Sequence, residues 1–201
     1  MPQVLDFNFK DHYAMENQRV KLVPLNVEHI EPLTKISNDP VIWRYLLEDG
    51  AAPEALKQYV MEALEERRYA KSYPFAVYDK HTQCYAGTTR LYEVNPVFRH
   101  LKVGHTWYGK AFRGTGINAA CKKLLFHFVF EQLNFVRIGF GVHGDNVPSL
   151  RALRKMGIQQ EGQLRDFFPG SGEKDRVDLV LLSLLKKEFT VPCPHFKWIP
   201  A

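Results

Sequence analysis

At 201 residues with 45% apolar content, the chain is long enough to bury a substantial core, and it reads as a single domain over residues 1–201 with no linker or disorder-prone block. Its net charge of +5 suits an anionic partner, but the basic residues are scattered and build no nucleic-acid arm, so a polyanionic small molecule is served equally well. No apolar run approaches the roughly 20 residues that cross a bilayer, and the opening MPQVLDFNFKDHY lacks the charged and apolar regions of a secretory leader, so neither nucleic acid nor membrane is an expected partner and the expected location is cytoplasmic.

In chain order, the N-terminal dozen residues read as a loose lead-in, and RVKLVPL (19–25) alternates as a strand. NVEHIEPLTKIS follows as a short helix capped by Asn26, and a second helix runs from about Pro53, suited to a first turn, to Ala70, with Leu56, Tyr59, Val60, Ala63 and Leu64 at helical spacing. Strands are expected at YPFAVYD, CYAGTTRLYEV and LKVGHTWY, separated by the turn-prone KHTQ and NPVFRH. A long helix comes next: Ile117, Ala120, Cys121, Leu124, Leu125 and Phe128 share one face. FVRIGFGVH reads as a strand, VPSLRALRKMG as a helix ended by Gly157, and two strands at about 158–166 and 175–184 complete the pattern. The tail VPCPHFKWIPA, with three prolines, reads as irregular and placed to cover an edge. This order predicts a mixed sheet with helices on both sides, an α/β or α+β layout without internal repeat.

The three cysteines, Cys84, Cys121 and Cys193, are odd in number and widely spaced, with neither C-x-x-C spacing nor a histidine cluster beside them. They read as reduced thiols, Cys121 in a packing role, and no metal site is expected.

The stretch YGKAFRGTGINAACKK carries the most chemistry. A helix start exposes unpaired N–H groups and about half a positive charge, so a glycine turn placed there makes an anion site. Gly114 and Gly116 let the chain curl, and Arg113 supplies a mobile cation. A nucleoside-triphosphate loop is excluded, because Thr115 and Gly116 stand where Lys and Ser/Thr belong. The dinucleotide pattern is formally present as Gly114, Gly116 and Ala119, but it lies too far after its strand, and no acidic residue ends the next one. A glycine turn serving packing alone stays open.

The run from VGHTW through RGTGIN, NVPS, RKMG and EGQLRDF resembles the GCN5-related N-acetyltransferase (GNAT) superfamily, and more narrowly its RimJ/RimL-type branch, over about residues 17–190. RVKLVPL and YAGTTRL are similar to that family's early strands and DRVDLVLLSLLKKEF to its closing one. The resemblance implies a largely antiparallel central sheet of about seven strands flanked by helices, and direct acetyl transfer from acetyl-coenzyme A to a primary amine, a protein N-terminal α-amine or a small molecule. It also implies that backbone N–H groups of Arg113, Gly114, Thr115, Gly116, Ile117 and Asn118 hold the pyrophosphate. The strand with Thr106, Trp107 and Tyr108 would splay from the strand near Phe140 to Val142 to admit the pantetheine arm, and an N–H at Trp107 or Tyr108 would polarise the thioester carbonyl. Asn146 and Ser149 match the branch's N-x-x-S, Asn146 as an organiser of pantetheine or of the serine and Ser149 as proton donor to the departing thiolate. For Asn146, a purely structural helix cap is the competing role.

Relatives in that family commonly carry glutamate two residues before the glycine of VGHTW, where this chain has Lys102. An α-amine with a pKa near 7.8 is roughly a sixth neutral at pH 7, whereas a lysine amine near 10.4 is below about 0.1% neutral, so the missing carboxylate points to a low-pKa acceptor. His105, Glu93, Asp166 and His143 are the candidate bases acting through water. Among these His105 is favoured by its near-neutral reference pKa, although strand alternation sets it on the face opposite Lys102 unless a bulge intervenes, and a histidine packed beneath a helix is the stronger competing reading. Trp43 and Tyr45 are candidates to line the amine pocket or to pack in the core. Other readings consistent with the residues are a catalytically weak acyl-coenzyme A sensing module, succinyl in place of acetyl transfer, and, on the bare glycine pattern, a nicotinamide-dependent oxidoreductase. A homodimer is left open.

Overall fold

The computed structural model describes residues 6–46, 50–170, 175–190, 193 and 195–199. Alternation in the strand segments translates, among the described residues, into nine strands: β1 (Met15–Glu16), β2 (Val20–Pro24), β3 (Ser72–Asp79), β4 (Cys84–Asn95), β5 (His100–Tyr108), β6 (Arg137–His143), β7 (Gln159–Pro169), β8 (Arg176–Leu185) and β9 (Lys197–Trp198). They form one sheet in the order β7-β8-β6-β5-β4-β3-β2-β1-β9. Seven are long strands, as expected from the sequence, and β1 and β9 are two-residue additions at one edge. Every neighbouring pair is antiparallel except β5 and β6.

The helices are α1 (Ile30–Ser37), α2 (Pro40–Trp43), α3 (Pro53–Arg68), α4 (Ile117–His127) and α5 (Val147–Lys155). Asn26 does cap the first helical segment, its side chain accepting the Glu28 N–H, but that segment opens with a 3-10 turn before α1. Short α2 is not visible as a period in the sequence; Asp39 caps it by accepting the Val41 N–H, and Pro40 supplies its first turn. At its C-terminal end α4 runs into a π turn, Phe128–Gln132, in which Phe128, Val129 and Phe130 are all buried. Three consecutive buried residues exceed what one face of a 3.6-residue helix presents.

Successive strand residues point to opposite faces, and the sheet is covered on both. On β3, Tyr73, Phe75 and Val77 join the larger core with Ile117, Cys121, Leu124, Leu125 and Phe128 of the α4 region, while Ala76 joins Leu33, Trp43, Leu56, Tyr59 and Val60 of α1, α2 and α3. Arg90 of β4 is buried beneath α3, its guanidinium 3.1 Å from Glu66 and 4.6 Å from the Tyr59 ring centroid.

Two terminal readings change. The lead-in is not loose where it is described: Phe7 packs on Phe9, Tyr13 and Tyr73. The tail adds β9 to the sheet by pairing Trp198 with Met15 and Lys197 with Glu16, so it covers the edge as strand. Pro192, Pro194 and Pro200, on which the irregular reading rested, lie outside the described residues.

Candidate active site

The parallel pair β5 and β6 stays in register only through His100↔Arg137, Leu101↔Ile138 and Lys102↔Gly139. Beyond Lys102 each strand keeps its other neighbour, β5 running on against β4 to Gly87↔Tyr108 and β6 against β8 to His143↔Leu179. The result is a notch with residues 103–108 on one side and residues 140–143 on the other. A bulge in β5 lies at its edge: Thr88 pairs with Trp107 and Arg90 with Gly104, so one β4 residue opposes both His105 and Thr106. His105 takes the left-handed conformation (φ 46°) that this extra residue requires.

The orientation of the backbone at the notch follows from its neighbours. A Cβ added to Gly87 would sit 1.9 Å from the Trp107 carbonyl oxygen, so that carbonyl faces β4, and the Gly109 N–H also turns to β4, donating to Ala86 O at 2.9 Å. Alternation leaves the Tyr108 N–H on the notch side. Of the two amides expected near the thioester, Tyr108 is the one so directed.

β5 then leads through a 3-10 turn (Lys110–Phe112), anchored by buried Phe112, into the glycine turn. Gly114 (φ 75°) and Gly116 (φ 87°) are both left-handed, and nothing lies within 4 Å of where a Cβ would stand at either. Their need is thus conformational, and the space beside both is open. Gly116 is the N-cap of α4, and no side chain caps the free N–H groups of its first turn. Buried Ile117 contributes to this cradle through its backbone only, half-buried Asn118 stands beside it, and Thr115 donates its hydroxyl hydrogen bond to Phe112 O at 2.7 Å. An uncapped helix start with an open glycine turn fits a diphosphate.

Arg113 departs from expectation. Its guanidinium is held 3.0 Å from Asp39 at the α2 cap, and its Nε donates to Tyr108 O at 3.0 Å, so it ties β5 to α2 and is not a mobile cation. The hydrogen bond from Val41 N–H, followed by the nearby Arg113 charge, holds the Asp39 carboxyl below its ordinary pKa.

On the β6 side, Asn146 is the N-cap of α5 and accepts the Ser149 N–H at 3.1 Å, which establishes the capping role and sets Ser149 half-buried in the first turn. His143, at the end of β6, lies between the rings of Tyr45 (5.2 Å) and Phe168 (5.1 Å, stacked). Its Nδ1 accepts the Asp145 N–H at 3.2 Å, so in the neutral ring Nε2 carries the proton and offers a donor.

The remaining sequence candidates divide. Trp43 is core: its Nε1 donates to Ser37 O, and its ring lies 5.3 Å from those of Tyr59 and Trp107. Lys102 is paired with Glu93 at 2.7 Å, so each neutralises the other at the mouth of the bulge. The Asp166 backbone N–H donates to Asp178. The His105 ring rests edge-on against Tyr92 at 5.4 Å, the neighbour of Lys102 in the ladder; the bulge that could bring the two together is present.

One charged group at the notch was missed. Lys122 of α4 is 4% exposed; its Nζ donates to Thr106 Oγ1 at 2.9 Å and lies 6.0 Å from the Phe140 ring. Thr106 in turn shares a hydrogen bond with Thr89 Oγ1 at 2.8 Å. Burial pushes the Lys122 amine down to about 8. The signal in the sequence was its position three, four and seven residues before Leu125, Phe126 and Val129, all buried. Among the described residues, no three His, Cys, Asp or Glu side chains gather as metal ligands.

With this geometry in place, comparison with known proteins is decisive. The family profile described as "Acetyltransferase (GNAT) domain" matches residues 19–159. The chain belongs to the GNAT acetyltransferase family. It is 24% identical over 180 residues to "Uncharacterized N-acetyltransferase p20" of Bacillus licheniformis, covering 88% of this chain and 98% of that protein. It is 35% identical over 104 residues to "Putative ribosomal N-acetyltransferase YdaF" of Bacillus subtilis (strain 168), covering 51% of this chain and 55% of that protein. Among solved structures, a GCN5-related N-acetyltransferase from Brucella melitensis superposes with a TM-score of 0.80 over 90% of this chain and 82% of that one, at 23% identity. The protein is an acyltransferase of the GNAT fold.

Proposed function

We propose that this acetyltransferase moves an acetyl group from acetyl-coenzyme A directly to a primary amine, with a protein N-terminal α-amine as the favoured acceptor class and a small-molecule amine as the other. The observation that carries the reading is the notch: two parallel strands part beyond Lys102, and the strand on one side leads into an uncapped glycine turn. An extended arm carrying a diphosphate at one end and a thioester at the other matches that outline. In this reading the N–H groups from Gly114 to Asn118 meet the diphosphate, the Arg113 N–H being turned to Lys110 O at 3.4 Å, and Thr106, Trp107 and Tyr108 border the arm.

The chemistry then falls to a few atoms. As the neutral amine attacks the thioester carbonyl, the C–N bond forms, negative charge grows on the carbonyl oxygen, and the Tyr108 N–H on the notch side is aimed to receive it. When the C–S bond breaks, Ser149, held by the Asn146 cap, supplies a proton to the thiolate. The amine's proton leaves to His105 through water. His143 does not take that role, because its Nδ1 lone pair is engaged by Asp145 N–H. With Lys102 neutralised by Glu93, no unpaired carboxylate of that ladder position draws a strongly basic amine, which supports an acceptor already partly neutral at pH 7. The name of the Bacillus subtilis relative is in keeping with a protein acceptor and with the RimJ/RimL-type branch.

The test is thermal shift with acetyl-coenzyme A, coenzyme A and NAD, followed by thiol release across peptides with free N-termini, polyamines and aminoglycosides. Stabilisation by both coenzyme A species together with turnover on at least one amine is expected. No shift with either species overturns the reading, and binding without turnover on any amine makes the protein a sensor. Ser149→Ala is expected to slow turnover while keeping cofactor affinity; an unchanged rate removes its acid role.

A further inference from the structure

We infer that Lys122 is a ligand-binding residue of the notch, its ammonium donating a hydrogen bond to a carbonyl oxygen of the acyl-pantetheine arm. The inference rests on the acetyl-coenzyme A reading and adds a contact to it.

Three observations lead there. First, Lys122 spans the floor of the notch, touching Thr106 on the β5 side and approaching Phe140 on the β6 side, one helical turn below Asn118 and the glycine cradle. Second, its surroundings are wrong for a charge kept for stability. An ammonium has three N–H donors, and among the described residues it is given one hydroxyl oxygen and one ring face, with no carboxylate in contact. Third, isolating a charge in this way is costly, and a core position beside Leu124, Leu125 and Phe126 would accept methionine or leucine at no such cost. A side chain with two donors left over among the described residues, where β5 parts from β6, is arranged for acceptors that arrive with the ligand. An acyl-pantetheine arm offers amide and thioester carbonyl oxygens and no positive charge.

The pH dependence follows with a defined sign. The Lys122 amine sits at about 8 in the free protein because it is buried. A ligand carbonyl favours the ammonium form, so affinity is full below about pH 8 and falls as pH rises through it. The titratable neighbours do not interfere: the Cys121 thiol on α4 and the Tyr108 phenol on β5 are both pushed up by burial and stay neutral there, while Thr106, Thr89 and Phe140 do not titrate.

The experiment is calorimetric binding of acetyl-coenzyme A, which has no thiol to titrate, and of coenzyme A, to the wild type, Lys122→Met and Lys122→Gln at pH 7 and pH 9, alongside ligand-free melting curves. Lys122→Met is expected to weaken binding about tenfold or more at pH 7, the size of a hydrogen bond to a charged group, and to abolish the pH dependence. Its ligand-free melting temperature stays level or rises, because a desolvated charge is gone; Lys122→Gln, which keeps N–H donors, recovers part of the affinity. Loss for acetyl-coenzyme A alone assigns the thioester carbonyl, and equal loss for both ligands assigns a pantetheine amide. Unchanged affinity in both variants, or a melting temperature that drops in proportion to the affinity, overturns the inference. Absence of binding to the wild type instead removes the acetyl-coenzyme A reading itself.

Discussion

Asn146 shows how one side chain can be structural and still shape a site. Its oxygen accepts the Ser149 N–H and so starts α5, and that same bond holds the serine at the notch. Asn146→Ala should therefore cost about 1 kcal/mol of stability, whereas Asn146→Asp, an equally good cap, should cost little. Urea midpoints check this, and an unmoved midpoint in Asn146→Ala would show that the cap contributes nothing. Arg113 carries the complementary lesson: a cation next to a glycine turn reads as an anion ligand, yet its guanidinium is consumed by Asp39 and the Tyr108 carbonyl. Nothing in the sequence pairs residues 39 and 113, because the bond exists only once α2 packs against the end of β5.

At the scale of elements, the notch depends on two strands that each prefer another neighbour. β4 holds β5 through the bulge, and the close approach at Gly87 is part of that grip. A Cβ there would meet the Trp107 backbone oxygen at 1.9 Å, and backbone cannot swing aside as a side chain does. Gly87→Ala should cost roughly 3 kcal/mol or more, since overpacking against fixed atoms forces the ladder apart. A melting curve checks the loss, and wild-type stability in this variant would mean that β5 is not held where the ladder places it. The glycines of the anion turn behave differently: space is free around Gly114 and Gly116, so their requirement is the left-handed backbone alone.

Across the whole molecule, two apolar clusters lie on opposite faces of one sheet, and β3 and β5 contribute to both. Loss of either cluster strips one face of the strands that the other needs. Unfolding should be a single transition, with the fluorescence of a Trp198→Phe variant, in which Trp43 and Trp107 report the smaller cluster, coinciding with the loss of far-ultraviolet circular dichroism. Separate midpoints would show that the α1–α3 layer melts by itself.

The long strands, the helices α3, α4 and α5, the Asn26 and Asn146 caps and the glycine turn were all legible in the sequence, because periodicity, capping and left-handed turns are local properties of the chain. The mixed α/β layout and the family followed from their order. Several features were decided only by the tertiary structure: the place, just after Lys102, at which β5 parts from β6, which of the Trp107 and Tyr108 amides faces the notch, the capture of Arg113 by Asp39, the pairing of Lys102 with Glu93, and the burial of Lys122 beneath the notch. Each depends on which distant segment lies alongside, and residues far apart in sequence acquire a shared dielectric and shared hydrogen bonds only when the sheet assembles.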